Sequence, residues 1–184
     1  MRCGLIISML LTTQDTDKIA SLLLEGKIGV LPTDTIYGLH CLATDQNLIK
    51  KIYELKKLPN DTPLITLVAD EKELEQFGVG VGEFEKELMK KYWSGPNTLI
   101  FDTKDDGTRS FRMPKNDFLL SILKKSGPLV STSANIHQMP FSKNVNQAVE
   151  YFGDKVDFYV DGGEEDNPPS SIYKFSKRQI TKIR

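Results

Sequence analysis

From residue 16 onward, short apolar runs stopped by Pro, Gly or polar residues take turns with segments whose apolar positions recur at helical spacing. That alternation commits the chain to an α/β fold, a twisted and mixed sheet with flanking helices. Strands are expected at 28–31 (stopped by Pro32), 64–68, 98–101, 129–130, 156–160, 172–175 and 180–183. Asp15 or Thr16 caps a first helix with Ile19, Leu22 and Leu23 on one face and Gly26 at its end. Asp45 caps a second, which turns Leu48, Ile49, Ile52 and Leu55 inward and Lys50 and Lys51 outward. Asp70 and Glu73 have the spacing of a capping box for another helix. Further helices are expected at 84–92, 118–125 and 144–152, and 161–169 reads as an exposed loop rich in Gly, acid and Pro.

The 184 residues fit one domain spanning 1–184, with 1–13 as a possible N-terminal extension. The apolar stretch 4–11 lacks the small-residue cleavage site of a secretory signal, so it reads as an added strand or as sequence upstream of a start at Met9. Lys and Arg number 24 against 25 acids, which excludes a basic coat for nucleic acid but leaves room for a local patch. No apolar run approaches the roughly 20 residues a membrane helix needs. The two cysteines cannot build a disulfide scaffold, and the cytoplasm is the expected compartment.

Several familiar chemistries are missing. The chain has no phosphate-binding G-x-x-x-x-G-K-[ST] loop and no G-x-S-x-G elbow. Gly78, Gly80 and Gly82 follow a helix-like segment, the wrong context for a dinucleotide fingerprint. A zinc site would need Cys3, Cys41, His40 and His137 without any C-x-x-C pair, so buried thiols are the simpler reading, and no residue is assigned as a metal ligand. Any nucleophile activated by histidine would depend on His40 or His137, neither set in a supporting motif.

Two polar loops follow strands instead. In the first, Thr33, Asp34 and Thr35 come just after a buried strand, where α/β folds open their ligand crevice, although such residues equally serve turns. In the second, the strand at 129–130 runs into Ser131-Thr-Ser-Ala-Asn135, whose hydroxyls and amide suit phosphate oxygens or a helix cap. Lys56 and Lys57 end the second helix, and Arg112 stands at the end of an apolar strand, where it needs a partner such as a bound anion. On the residues alone, the chain binds an anionic small molecule.

These loops, taken in order, resemble a known family. Pro-Thr-Asp-Thr-Ile-Tyr-Gly-Leu at 32–39, Ile-Tyr-Glu-Leu-Lys-Lys-Leu-Pro at 52–59, Trp-Ser-Gly-Pro-Asn-Thr-Leu at 93–99, Phe-Arg-Met-Pro at 111–114, Pro-Leu-Val-Ser-Thr-Ser-Ala-Asn at 128–135 and Asn-Pro-Pro-Ser-Ser-Ile at 167–172 are similar to motifs of the YrdC/TsaC-type threonylcarbamoyl-AMP synthases, in the short single-domain form. The resemblance implies a YrdC-like sheet with an open concave cavity. It also implies synthesis of threonylcarbamoyl-adenylate and pyrophosphate from L-threonine, bicarbonate and ATP with Mg²⁺, a nucleotidyl transfer. The product would pass to the tRNA-threonylcarbamoyl transferase machinery, and weak RNA binding is a possible accompaniment.

By position, the resemblance implies a catalytic group of Lys56, Arg112, Ser133 and Asn135. It places Thr35, Arg112, Ser131 and Ser170 at the threonine, and Lys56, Thr62, Thr108, Ser133, Asn135 and Arg184 at the nucleotide. Two anions must be brought together in such a reaction, so positioning and positive charge can carry it without a nucleophilic side chain. The chain departs from the family where Leu58 replaces the usual arginine, with Lys57 the candidate substitute charge. It departs again at Thr62 for Asn, at Leu67 for the His of many long-form members, and at His137-Gln138 for Ser-Gly. A YrdC-like module that binds nucleotide or RNA without synthase activity is the alternative, with Lys86, Lys90 and Lys91, or Lys174, Lys177 and Arg178, as its basic clusters.

Overall fold

The computed structural model describes residues 9–176 and 179–184, so Cys3, most of the apolar stretch 4–11, Lys177 and Arg178 lie outside the described residues. Ten strands form one sheet: β1 (Leu10–Thr12), β2 (Gly29–Leu31), β3 (Gly38–Leu42), β4 (Ile65–Leu67), β5 (Asn97–Asp102), β6 (Thr108–Arg112), β7 (Leu129–Ser133), β8 (Phe158–Asp161), β9 (Ser171–Ser176) and β10 (Gln179–Lys182). Their spatial order is β1-β8-β2-β3-β7-β4-β6-β5-β9-β10. The pairs β1–β8, β2–β8, β4–β6 and β5–β9 are parallel and the rest antiparallel, so the sheet is mixed as expected.

Alternation along the strands divides the core between two faces. Leu31, Leu67, Leu129 and Phe158 point to one face and are covered by Ile19 and Leu23 of α1 (Thr16–Leu24) and Leu119 and Leu123 of α4 (Asp117–Ser126). Their sequence neighbours Val30 and Val130 point the other way, with Leu39, Cys41 and Tyr159, toward α2 (Gln46–Lys56) and α5 (Val145–Phe152). A third cluster packs Leu99, Phe101, Phe111 and Phe175 against Leu88 and Met89 of α3 (Glu83–Tyr92).

Caps follow the sequence closely at α2, where the Asp45 side chain accepts from the Asn47 and Leu48 amides, at 2.9 and 3.1 Å. At Asp70 the capping box forms, but the segment it opens (Glu71–Phe77) is a 3₁₀ helix. Only Leu74 of that segment is buried, so little packing drives it toward α geometry. Two strand readings also change. Strand β3 fills what read as the end of a loop, and β7 continues past Val130 through Ser133. The two pair over their whole lengths, with Gly38 opposite Ser133 and His40 opposite Ser131.

Candidate active site

Helices α1 and α4 cover only part of their face of the sheet. The same face continues bare across Ser131, Ile65, Ser110 and Ile100, a row fixed by the register of β7, β4, β6 and β5, with Gly38 of β3 beside it opposite Ser133. Above it opens a cavity of about 400 Å³. The β2–β3 loop forms one wall. Thr33 is buried at its base, where its hydroxyl donates to the Ile36 carbonyl at 2.8 Å and accepts from the Thr35 amide at 3.0 Å. With its proton already given, Thr33 can only accept the 2.9 Å bond from the Thr35 hydroxyl, so Thr35 turns its lone pairs outward. Both threonines line the cavity, but the Thr33 hydroxyl is spent on the turn while that of Thr35 keeps its lone pairs for a ligand.

Asp34 explains Arg112. The guanidinium at the end of β6 is ion-paired through Nη1 to Asp34, with side chains only 4% and 9% exposed, and the other Asp34 oxygen accepts from the Lys115 amide at 3.0 Å. The partner of this strand-end arginine is thus a carboxylate from the first polar loop. Arg112 Nε is buried and has no hydrogen-bond partner among the described residues, and Asp34 uses only one of the five guanidinium N–H groups, which leaves charged donors for a ligand at the cavity wall.

Ser131 and Ser133 from β7 and Ser110 from β6 add hydroxyls, while Leu64, Ile100, Phe141 and Ile183 supply apolar surface. Ser170 closes the far side, its hydroxyl 2.9 Å from that of Thr98. Arg184 donates Nε to the Ser170 carbonyl at 3.1 Å and Nη2 to its hydroxyl at 3.4 Å, and burial lowers the guanidinium pKa. Thr62 and Thr108 line a second cavity of about 470 Å³ that shares Pro63, Leu64, Ile100 and Ser110 with the first and adds Arg109. The candidates Thr35, Arg112, Ser131, Ser133, Ser170 and Arg184 thus converge on one cavity, with Thr62 and Thr108 next door.

Lys56 and Asn135 are placed differently. Both lie behind the wall, 2% and 4% exposed, and neither lines the cavity. The Lys56 ammonium donates to the Ser133 carbonyl, to the Asn135 carbonyl at 2.7 Å and to Asn135 Oδ1 at 2.9 Å, while Ser133 Oγ donates to the same Oδ1 at 2.6 Å. Burial pulls the Lys56 pKa down to about 8, so it remains charged at neutral pH. Its bonds brace the end of β7 against the last turn of α2. Lys57 does not stand in for the arginine lost at Leu58. It adopts a left-handed conformation (φ 56°) and lines a separate cavity of about 560 Å³ with Lys27, Lys51 and Lys155.

Sequence reasoning missed Asp34 as the arginine's partner, Ser110 and Phe141 as lining residues, and His40 beneath the floor. An acid three residues past the strand was the available signal for Asp34. His40 was named only as a candidate for a zinc site or a histidine-activated nucleophile, and nothing in the sequence marked Ser110 or Phe141. Among the described residues no group of three or more His, Cys, Asp or Glu side chains is placed to hold a metal ion. No helix among them is long and apolar enough to cross a membrane.

The chain belongs to the family whose model, described as telomere recombination and covering Sua5, YciO and YrdC, matches residues 21–184. It is 34% identical over 155 residues to the threonylcarbamoyl-AMP synthase of Pyrococcus abyssi, covering 79% of this chain and 46% of that one. To the synthase of the same name from Bacillus subtilis it is 35% identical over 155 residues, covering 78% and 45%. The chain spans about half the length of these curated relatives. Its fold superposes on P. abyssi Sua5 complexed with L-threonine with a TM-score of 0.84 at 28% identity, over 96% of this chain and 56% of that one. The expected YrdC-like architecture is therefore the one observed.

Proposed function

We propose that this chain is a threonylcarbamoyl-AMP synthase, a nucleotidyltransferase that joins L-threonine, bicarbonate and ATP. The threonine amine and bicarbonate form a carbamate with loss of water. A carbamate oxygen attacks the α-phosphorus of ATP, and pyrophosphate leaves with the electrons of the broken P–O bond. The observation that carries this reading is the cavity wall itself: a buried arginine whose guanidinium gives only one of its N–H groups to Asp34, ringed by hydroxyls, with no activated nucleophile beside it among the described residues. Such a wall suits a reaction between two bound anions, where orientation and fixed charge supply the rate. The names of the P. abyssi and B. subtilis relatives support the same chemistry.

In this reading the Arg112 guanidinium and Thr35 receive the amino acid, with Ser131 and Ser170 beside it. Thr62, Thr108, Ser133 and Arg184 serve the nucleotide, and Lys56 and Asn135 hold Ser133 in place. The hydroxyl oxygens of Ser131 and Ser133 are the hard, neutral donors available to a Mg²⁺ ion that arrives on the triphosphate. That ion would neutralise charge on the phosphates. The adenylate would be consumed in the cytoplasm by the machinery that threonylcarbamoylates tRNA.

Pyrophosphate release by the purified chain, with ATP and Mg²⁺, tests the proposal. Release that requires both L-threonine and bicarbonate, and is lost in Arg112→Ala, supports it. ATP binding without such release rejects it. One observation favours the second reading, a nucleotide- or RNA-binding module: Leu58 removes a cation and Lys57 faces away from the site. In that case Leu58→Arg restores release, and RNA binding weakens steeply with salt.

A further inference from the structure

His40 is a fully buried polar side chain that the proposed reaction leaves unused. It is 0% exposed, and neither ring nitrogen makes a well-aligned hydrogen bond among the described residues, the Gly38 backbone being the polar group that comes nearest to one. A buried imidazole left without well-aligned partners is costly, so the chain needs a reason to keep it. Its place is specific. Register sets it directly opposite Ser131 on the neighbouring strand, on the face that floors the cavity. The ring packs under Gly38: a Cβ built there lies 2.6 Å from His40 Cε1, 3.1 Å from Nε2 and 3.3 Å from Ser131 Oγ. Imidazole and hydroxyl therefore flank one point just beneath the cavity, and Ser131 and Gly38 both line that cavity. No residue larger than glycine at 38 would leave the ring this position.

We propose that His40 is a positioning residue for the amino-acid end of the cavity: its ring N–H engages the Ser131 hydroxyl when substrate is bound and orients that hydroxyl as a donor. The inference rests on the synthase reading above. Burial, with the Arg112 charge adding to it, holds the ring uncharged, its pKa pushed down to about 3 against the opposing pull of the Gly38 backbone. An uncharged imidazole has one N–H and one lone pair. With the N–H directed at Ser131 Oγ, the hydroxyl must spend its own proton on whatever faces it from the cavity. An ammonium offers no lone pair there, whereas a carboxylated amine offers anionic oxygen. The pair thus favours the carbamate form of the amino acid over the free amino acid, and no proton changes owner.

The chain has only His40 and His137, so ring ¹⁵N signals in the intact protein are assigned by His137→Gln alone. L-threonine with bicarbonate is expected to shift the His40 N–H signal, and L-threonine alone to shift it less. His40→Phe keeps a ring of similar bulk without nitrogens. It is expected to raise the KM for bicarbonate about fivefold, the loss of one hydrogen bond between neutral groups, with its unfolding midpoint unchanged or higher. His40→Gln, which restores an N–H, should recover most of the loss. If calorimetry shows threonine binding while the His40 signals stay fixed and His40→Phe turns over like the parent, the inference falls and the synthase reading stands. If the parent protein binds no threonine, both fall. Should His40→Phe not fold, the ¹⁵N titration of the parent protein decides alone.

Discussion

Removing the Asp34 carboxylate isolates the contribution of one buried charge pair. In Asp34→Ala the Arg112 guanidinium, 4% exposed as a side chain, keeps its charge and loses its only ion-pair partner among the described residues, while the Lys115 amide loses its acceptor. Breaking a buried pair from one side costs about 3–5 kcal/mol, because an uncompensated charge stays in a poorly solvated place. For a chain of this size each kcal/mol shifts the midpoint by roughly 2–4 °C, so thermal unfolding followed by circular dichroism should show a fall of roughly 6–20 °C. Asp34→Ala/Arg112→Met removes both charges at similar volume and should regain most of that loss, since replacing a whole buried pair is often nearly neutral. The double variant should still release no pyrophosphate. Adding L-threonine should raise the midpoint of Asp34→Ala, where the guanidinium awaits an anion, and leave that of the double variant unchanged. Equal midpoints for the single and double variants would refute the coupling.

Acid should destabilise the fold through His40, whose folded pKa of about 3 lies below the unfolded value near 6.5. The unfolded state then binds the extra proton between those values, so stability is full at neutral pH and drains away as pH falls from about 6.5 toward 3. The group facing the ring is Arg112, paired to Asp34, which opposes protonation. Urea unfolding at pH 7 and pH 5 should differ by about 2 kcal/mol more in the parent than in His40→Phe, since each pH unit in that window is worth about 1.4 kcal/mol. Lys57→Gly should raise stability by up to about 1 kcal/mol, because glycine adopts φ 56° without strain, while pyrophosphate release stays within about twofold. Gly38→Ala should cost about 1–3 kcal/mol by driving a methyl into the His40 ring, and adding His40→Ala should relieve it; chemical denaturation reads both.

What the sequence made legible was whatever local chemistry decides. The Asp45 cap, the inward face of α2 and the strands ended by proline follow from short-range patterns, and the structure keeps them. Strand β3 was not legible, because Gly-Leu-His-Cys-Leu is mostly buried and so lacks a polar alternation. The polar loops were visible as hydroxyl-rich runs following strands, which is why Thr35, Ser131 and Ser133 could be named without coordinates. Their division of labour could not. Thr33 and Thr35 differ only in which oxygen the backbone claims, and Lys56 differs from a surface lysine only by the carbonyls of a turn 77 residues away. Arg112 needed a partner on any reading, yet the 78-residue separation from Asp34 is set by sheet topology, which local patterns do not encode.

Tyr37 sends its phenol into the 161–169 loop, donating to the Gly163 carbonyl at 2.8 Å and accepting from the Gly162 amide at 2.9 Å. Further along, the Glu165 amide is bonded to the Lys143 carbonyl and the Lys143 ammonium to Asp166, while Ser170 is held by Thr98 and Arg184. The acidic loop is therefore a strap clamped at three places along its length, and a strap so clamped cannot swing as a gate. Beside the strap, at the cavity edge, Phe141 and Ile183 stand 43% and 57% exposed, Phe141 two residues before Lys143 and Ile183 bonded through its amide to the Ile172 carbonyl. Those two side chains, outside every polar motif, form the threshold that a ligand crosses.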